Sequence, residues 1–324
     1  MSAQLQRYIL RRILQSVPLI FLVIIFIFLL IHLAPGDPVL IFAGEFGDEE
    51  FYALMRKKWG LDKPIYEQLY IYMRTVLQGD FGFSYYYQRP AMEVILERFP
   101  NTLILIAGAI SIYIPVGMGL GILASLKPQS PRDAVISSFT LIGFSMPIWW
   151  LGALLLLIFS LWIPWFPSYG MMPAGAELGF FESTLTILYH LALPAITLAM
   201  FYLAITTRLT RASMLEVLSK DFIVTAWAKG LSDNKVIFRH ALRNALLPVV
   251  TLIFVNLGYM LGGAVLTETV FSWPGIGRLM VEALSGRDYN LVTGIFVIVS
   301  SGIILLNLFT DLLYCLIDPR VRFR

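Results

Sequence analysis

Residues 213–248 read SMLEVLSKDFIVTAWAKGLSDNKVIFRHALRNALLP. The stretch carries Lys220, Lys229, Lys235, Arg239 and Arg243 against Glu216, Asp221 and Asp233, and it interrupts a very apolar second half of the chain. Its local grammar is helical. Ser213 with Glu216 three residues on reads as a capping box. Asp221 predicts the cap of a second, short helix, and Gly230 after Lys229 predicts its stop. Ser232 then caps a third helix running to Pro248. A connector between two membrane spans is usually a few residues long. A charged helix–turn–helix of this length therefore reads as a docking platform for a soluble partner, with a solvated connector as the alternative.

The rest of the chain says why spans flank it. Of 324 residues, 58% are hydrophobic and 14% charged, with a mean hydropathy of +0.77. Soluble domains carry about 25% charged residues. Windows 13–31, 101–126, 134–162, 185–207, 248–267 and 289–310 contain no Asp, Glu, Lys or Arg. Each approaches or exceeds the roughly 20 residues that a helix needs to cross hydrocarbon, and helices satisfy every backbone group there. The fold class is thus all-α, a polytopic membrane protein with six transmembrane helices.

Charge sets the orientation. With the N-terminus inside, segments 1–12, 127–133, 208–247 and 311–324 hold 15 of the 24 basic residues and 6 of the 21 acidic ones. Segments 32–100, 163–184 and 268–288 hold the other 9 and 15. A basic excess marks the cytoplasmic side, so both termini and the platform are expected there. The net charge of +3 is a topology signal and gives no reason to expect nucleic acid. Cys315 is the single cysteine, which excludes an internal disulfide. Arg7, Arg11 and Arg12 before an apolar run resemble a signal sequence. The run lacks a small-x-small cleavage site and reads as a retained first span.

Segment 32–100 predicts a small extracytoplasmic cap. Asp48–Trp59 reads as a helix stopped by Gly60, and Ile65, Leu69, Tyr72, Met73, Val76 and Leu77 give a second, amphipathic one. GDFGFS at 79–84 is turn chemistry. Gly117, Gly119 and Gly121 predict close helix approach, and Pro147 predicts a kink in the third span. Ser145 and Trp149 beside Pro147, with Asn256 and Tyr259 in the fifth span, are candidate pathway residues. Interfacial anchoring is the alternative for Trp149 and Trp150, and interhelical glue the alternative for Asn256. Pro274, Gly275 and Gly277 predict a tight outer re-entry. No G-x4-G-K-[ST] loop, H-E-x-x-H pair or G-x-S-x-G turn is present, so no catalytic residue is assigned and ATP hydrolysis by the usual route is not expected here. His32, His190 and His240 lie in different segments, and no metal site is assigned.

SMLEVL, TAWAKGLS and RHALRNALLPVVT resemble the cytoplasmic docking loop of ABC-importer permeases in the dipeptide/oligopeptide/nickel branch, B-type permease. HLAPGDP at 32–38, GLDKP at 60–64, LPAITLAM, TETVFSWPGIGRL at 267–279 and the DPR ending extend the resemblance over residues 7–322. Against the broader E-A-A-x3-G-x9-I-x-L-P pattern, Ala226, Gly230 and Leu242 match. Val224, Thr225, His240 and Arg243 depart from it, and RDYN at 287–290 stands for RDYP. The resemblance implies a type I importer core over 101–324, with 1–31 as N-terminus and first span and 32–100 as the cap. It implies ATPase coupling through Thr225, Ala226, Lys229, Gly230, Leu231, Arg239, His240 and Arg243 in loop 208–247. The implied partners are a second, paralogous permease, two ABC ATPase subunits or domains carrying ATP and Mg, and an extracytoplasmic solute-binding protein. The implied setting is a prokaryotic cytoplasmic membrane. Peptide is the implied substrate. Oligosaccharide or nickel on the same machinery, or a stand-alone secondary carrier, are the alternatives, although charge-free spans lack the ionisable groups that a carrier normally uses.

Overall fold

The structure is a computed structural model. It describes residues 3–33, 39, 47–58, 61–84, 86–173, 175 and 178–317. Most of HLAPGDP, together with Trp59, Gly60 and the DPR ending, lies outside the described residues. Among the described residues five helices are long and apolar enough to cross a membrane, within Ile9–Leu30, Ala91–Ser125, Phe180–Leu218, Lys235–Gly262 and Tyr289–Leu312. A pair bent by 100°, Pro131–Ser145 with Ile148–Trp162, is the sixth when taken as one span. The chain divides into two compact units, residues 1–102 with 274–309 and residues 103–273 with 310–324.

In the first unit, α1 is Ala3–Leu33, α2 Glu49–Lys58 and α3 Ile65–Leu77. The Asp48 carboxylate accepts from the Phe51 amide at 2.8 Å, which starts α2. α3 stands where its apolar spacing placed it. Gly79 and Gly82 take φ of +79° and +83°, and the chain turns into a two-residue antiparallel ribbon, β1 Phe83–Ser84 against β2 Arg89–Pro90. α4, Ala91–Ser125, follows without a gap. Residues 91–100, read as cap, are the first three turns of that long helix. Pro274 and Gly275, the latter extended (φ −100°, ψ −174°) rather than in a tight turn, lead into α10, Ile276–Ser285, and then α11, Tyr289–Ile317. Ala91, Val94 and Ile95 pack with Ile276, Leu279, Leu291 and Ile295 in a buried cluster. The Ser84 hydroxyl donates to the buried Asp288 carboxylate at 2.5 Å. Burial and a hydrogen bond donated to Glu282 at 2.6 Å push the Tyr87 phenol pKa up.

In the second unit α7, Phe180–Leu218, is the hub, with Leu198, Ala204, Thr206 and Thr210 fully buried. α5 (Pro131–Ser145), α6 (Ile148–Leu156, continued by a π-helical turn Leu157–Trp162) and α9 (Leu242–Val270) pack around it. Small residues make the approach possible. A Cβ on Gly117 would lie 3.1 Å from Thr206 Cβ, and one on Gly121 would lie 2.6 Å from Thr210 Cβ. A Cβ on Gly119 would meet nothing within 4 Å, so the close face is the Gly117–Gly121 face.

One expectation is exceeded and two are corrected. At Pro147 the chain bends by 100°, far more than a kink, so that 134–162 is a broken span or a re-entrant pair. Met146 before Pro147 is extended (φ −77°, ψ 129°), because a residue preceding proline is pushed out of the α region. Ser213 caps nothing, because it lies buried inside α7, which continues to Leu218. The third platform helix does not end at Pro248. A π-helical turn, Lys235–Ala241, feeds directly into α9, which carries Pro248 in its interior. In a bundle, neighbours can re-satisfy the carbonyl that a proline frees.

Candidate functional site

The platform is therefore two span ends with one short helix between them. That helix, α8, is Asp221–Ala228. Its N-cap is Lys220, with no side-chain cap, so Asp221 does not cap it. Asp221 instead occupies the first turn, where its charge favours the helix dipole. The C-terminus is a Schellman motif. Gly230 has φ +77°. Its amide donates to the Trp227 carbonyl at 2.8 Å, and the Leu231 amide donates to the Ala226 carbonyl at 3.4 Å. The indole N–H of Trp227 donates to Asp233 at 3.1 Å, which ties α8 to the start of the next helix.

A buried cluster fastens α8 to the span ends. Ile223 and Ala226 of α8 pack with Ile122 of α4, Met214 of α7, and Val236, Ala241 and Ala245 on the way into α9. Leu231 and Leu242 close its edge. Nearby, Arg211 on α7 donates from Nε and Nη2 to the two oxygens of Asp133 at 2.7 and 2.6 Å. Asp133 sits in the first turn of α5, whose N-cap Ser130 accepts from the Asp133 amide at 3.3 Å. α4, α7 and α9 thus reach the base of α8, and the Arg211–Asp133 pair ties α5 to α7.

The expected coupling residues separate into two groups. Thr225, Lys229, Gly230, Arg239 and Arg243 are exposed and His240 is half-buried. Ala226 is buried and Leu231 half-buried in the protein's own cluster. The Ala226 methyl faces inward and positions the turn. The sequence reading missed the apolar outer face. Phe222, Val224, Trp227 and Phe238 are 44%, 58%, 42% and 58% exposed. Large apolar side chains left open in the most charged loop of the second half are the signal that was available.

The pathway candidates also separate. Ser145 donates back to the Leu141 carbonyl at 2.9 Å, while Trp149 and Tyr259 are exposed. Asn256 is buried, and its Nδ2 has no partner among the described residues. The buried hydroxyls of Tyr113, Thr206, Thr207, Thr210 and Thr267 are likewise unpartnered, a polar set that the sequence reading did not single out. Among the described residues no group of three His, Cys, Asp or Glu side chains could hold a metal ion. His32 is bound to Phe28 and Gln68, and His190 to Thr186.

An all-α chain with five or six apolar spans among its described residues and a short helix slung between two of them is a polytopic membrane protein. The comparisons agree. Residues 117–323 match the binding-protein-dependent transport system inner membrane component family, and residues 5–106 match the N-terminal part of such components. The chain belongs to that family. It is 39% identical over 316 residues to a probable peptide ABC transporter permease protein of Sinorhizobium fredii, covering 98% of this chain and 99% of the relative. It is 37% identical over 317 residues to the glutathione transport system permease protein GsiC of Escherichia coli, with coverage of 98% and 99%. It is 41% identical over 334 residues to the dipeptide transport system permease protein DppB of Escherichia coli, with coverage of 98% of each chain.

Proposed function

We propose that this chain is one permease subunit of an ATP-driven, binding-protein-dependent importer of small peptides in a prokaryotic cytoplasmic membrane. The observation that carries the reading is α8, a short helix with Phe222, Val224 and Trp227 exposed and with α4, α7 and α9 packed beneath it. Such a helix can pass force between a soluble partner and the spans. The substrate class is supported by the relatives, which are named for peptide, glutathione and dipeptide transport. The mechanism is alternating access. Two ATPase subunits close on ATP and Mg, carry α8 with them and rock the spans. A solute-binding protein delivers the peptide into a cavity shared with a paralogous permease. Hydrolysis on the ATPases then resets the inward-facing state. Nucleotide drives this cycle only by binding the two states unequally.

The test is reconstitution in proteoliposomes with and without the neighbouring transport genes' products. Peptide uptake is expected only with the second permease, the ATPases, ATP and the binding protein together, and the chain alone should hydrolyse no ATP. Uptake by the chain alone would assign a secondary carrier. Uptake of sugar or nickel in place of peptide by the full assembly would move the substrate class and keep the machinery.

A further inference from the structure

α1 and α3 pack antiparallel in one constant register. His32 Nε2 lies 2.9 Å from Gln68 Oε1. The Gln68 amide is oriented by its NH2 group, which donates to the Leu61 and Lys63 carbonyls at 3.2 and 2.8 Å. Four residues back along α1 and four forward along α3, Phe28 meets Tyr72 with ring centroids 5.7 Å apart. Four more in each direction, Ile24 and Val76 share a buried cluster, with Val23, Met73 and Phe81 at its edge. At about 1.5 Å per residue, the eight residues from His32 to Ile24 carry α3 about 12 Å along α1.

α11 gives the same measure independently. Asn290, on its first turn, donates to the Phe83 carbonyl at 3.0 Å. Val297, seven residues on and about 10 Å lower, joins the cluster of Ile24 and Val76. Both helices are spans, with charge-free windows that end at residue 31 and begin at residue 289. The level of Val76 is therefore some 10–12 Å inside a hydrocarbon layer roughly 30 Å thick.

We propose that α3 and the turn after it, residues 65–82, form a re-entrant element that dips into the bilayer alongside α1 and α11, and that its outward face is a lipid-binding surface. That face is built for lipid. Tyr66 and Tyr70 are 69% and 64% exposed near the His32 level, where aromatic belts lie. Leu77 is 58% exposed at the deep end. Arg74, exposed between them, has a stem long enough to carry its charge back to the head groups. Irregular backbone at membrane depth is tolerated where it lines a cavity. The turn meets that condition, for Asp80 and Gly82 line a cavity of about 100 Å³ together with Gln68, Thr75, Asn290 and Thr293. The occupant of the outer face is thus acyl chain and head group, continuous with the lipid around the exposed Phe26 and Leu30 of α1.

The test uses the full-length chain with Cys315→Ser as background and single cysteines at Leu77, Phe26 or Asp62, each carrying a fluorophore in phosphatidylcholine–phosphatidylglycerol vesicles. Leu77→Cys should be quenched by an acyl-chain nitroxide lipid as fully as Phe26→Cys, and should lose reactivity towards a membrane-impermeant thiol reagent. Asp62→Cys should stay reactive and unquenched. Leu77→Cys behaving like Asp62→Cys overturns the proposal in favour of an aqueous cap. Leu77→Cys both unquenched and unreactive overturns it in favour of a protein contact. An unquenched Phe26→Cys overturns it together with the assignment of α1 as a span, whereas loss of peptide transport in the reconstitution above would leave it untouched.

Discussion

Gly230 is the single position on which the platform turns. Its φ of +77° belongs to the left-handed region, where a Cβ costs roughly 1–2 kcal/mol and a β-branched residue more. Among the described residues nothing beyond its chain neighbours lies within 4 Å of a Cβ built there, so the obstacle is backbone conformation, not space. Gly230→Val should therefore displace the Schellman hydrogen bonds at Trp227 and Ala226 and tilt the apolar face of α8. It should leave the spans and membrane insertion intact. In the assembled transporter, binding-protein stimulation of ATP turnover should fall with substrate uptake. Gly230→Asn should keep most of both, because Asn also enters the left-handed region. Paired assays of turnover and uptake decide it, and normal coupling in Gly230→Val would remove this turn from the force path. The stop at Gly230 was legible because a left-handed C-cap has a residue signature. The burial of Ala226 was not, since alanine occurs on either face of a short helix and only the tertiary cluster decides which. The same holds for Asn256, whose cost when buried unpaired, about 1–3 kcal/mol, is visible only once its neighbours are known.

At the scale of elements, hydropathy located the spans well, because the bilayer demands long apolar helices whatever their neighbours do. Boundaries that depended on local signals fared worse. Ser213 and Glu216 have capping-box spacing, yet α7 runs through them because Met214 is held in the cluster beneath α8. Pro248 reads as a stop, yet α9 continues past it, while Pro147, also one proline among apolar residues, breaks its span by 100°. The difference lies in the partners around each helix, which sequence alone does not list. Small-residue spacing was more reliable because it states a distance. A Cβ on Gly121 would lie 2.7 Å from the Thr207 carbonyl and 2.6 Å from Thr210 Cβ. Gly121→Val should push α4 from α7 and cost about 1–3 kcal/mol, as overpacking does. Gly119→Val, which meets nothing within 4 Å, should be near neutral. Thermal unfolding of the two variants in one detergent compares them directly, and equal midpoints would mean that α4 and α7 do not meet at the Gly117–Gly121 face.

For the whole molecule the open choice is whether the bent pair α5–α6 crosses the bilayer, and parity turns that into a charge argument. If it crosses, there are six crossings, and both termini and α8 share one side. Segments on that side then hold 15 of the 24 basic residues. If the pair only dips in and returns, there are five crossings. The platform and the C-terminus then move outside, and the inside segments keep only 7 basic residues against 17 outside. Lys and Arg near span ends are retained on the cytoplasmic side, so the second arrangement runs against the bias that orients spans. It would also place α8 away from any ATP-binding partner. A reporter fused after Arg324 and a tag inserted at Gly230 should both be cytoplasmic, and a tag at Asp62 should be outside. With the N-terminus also located, a Gly230 tag on the side opposite to it would mean that α5–α6 returns without crossing, and the coupling role proposed for α8 would fall with it.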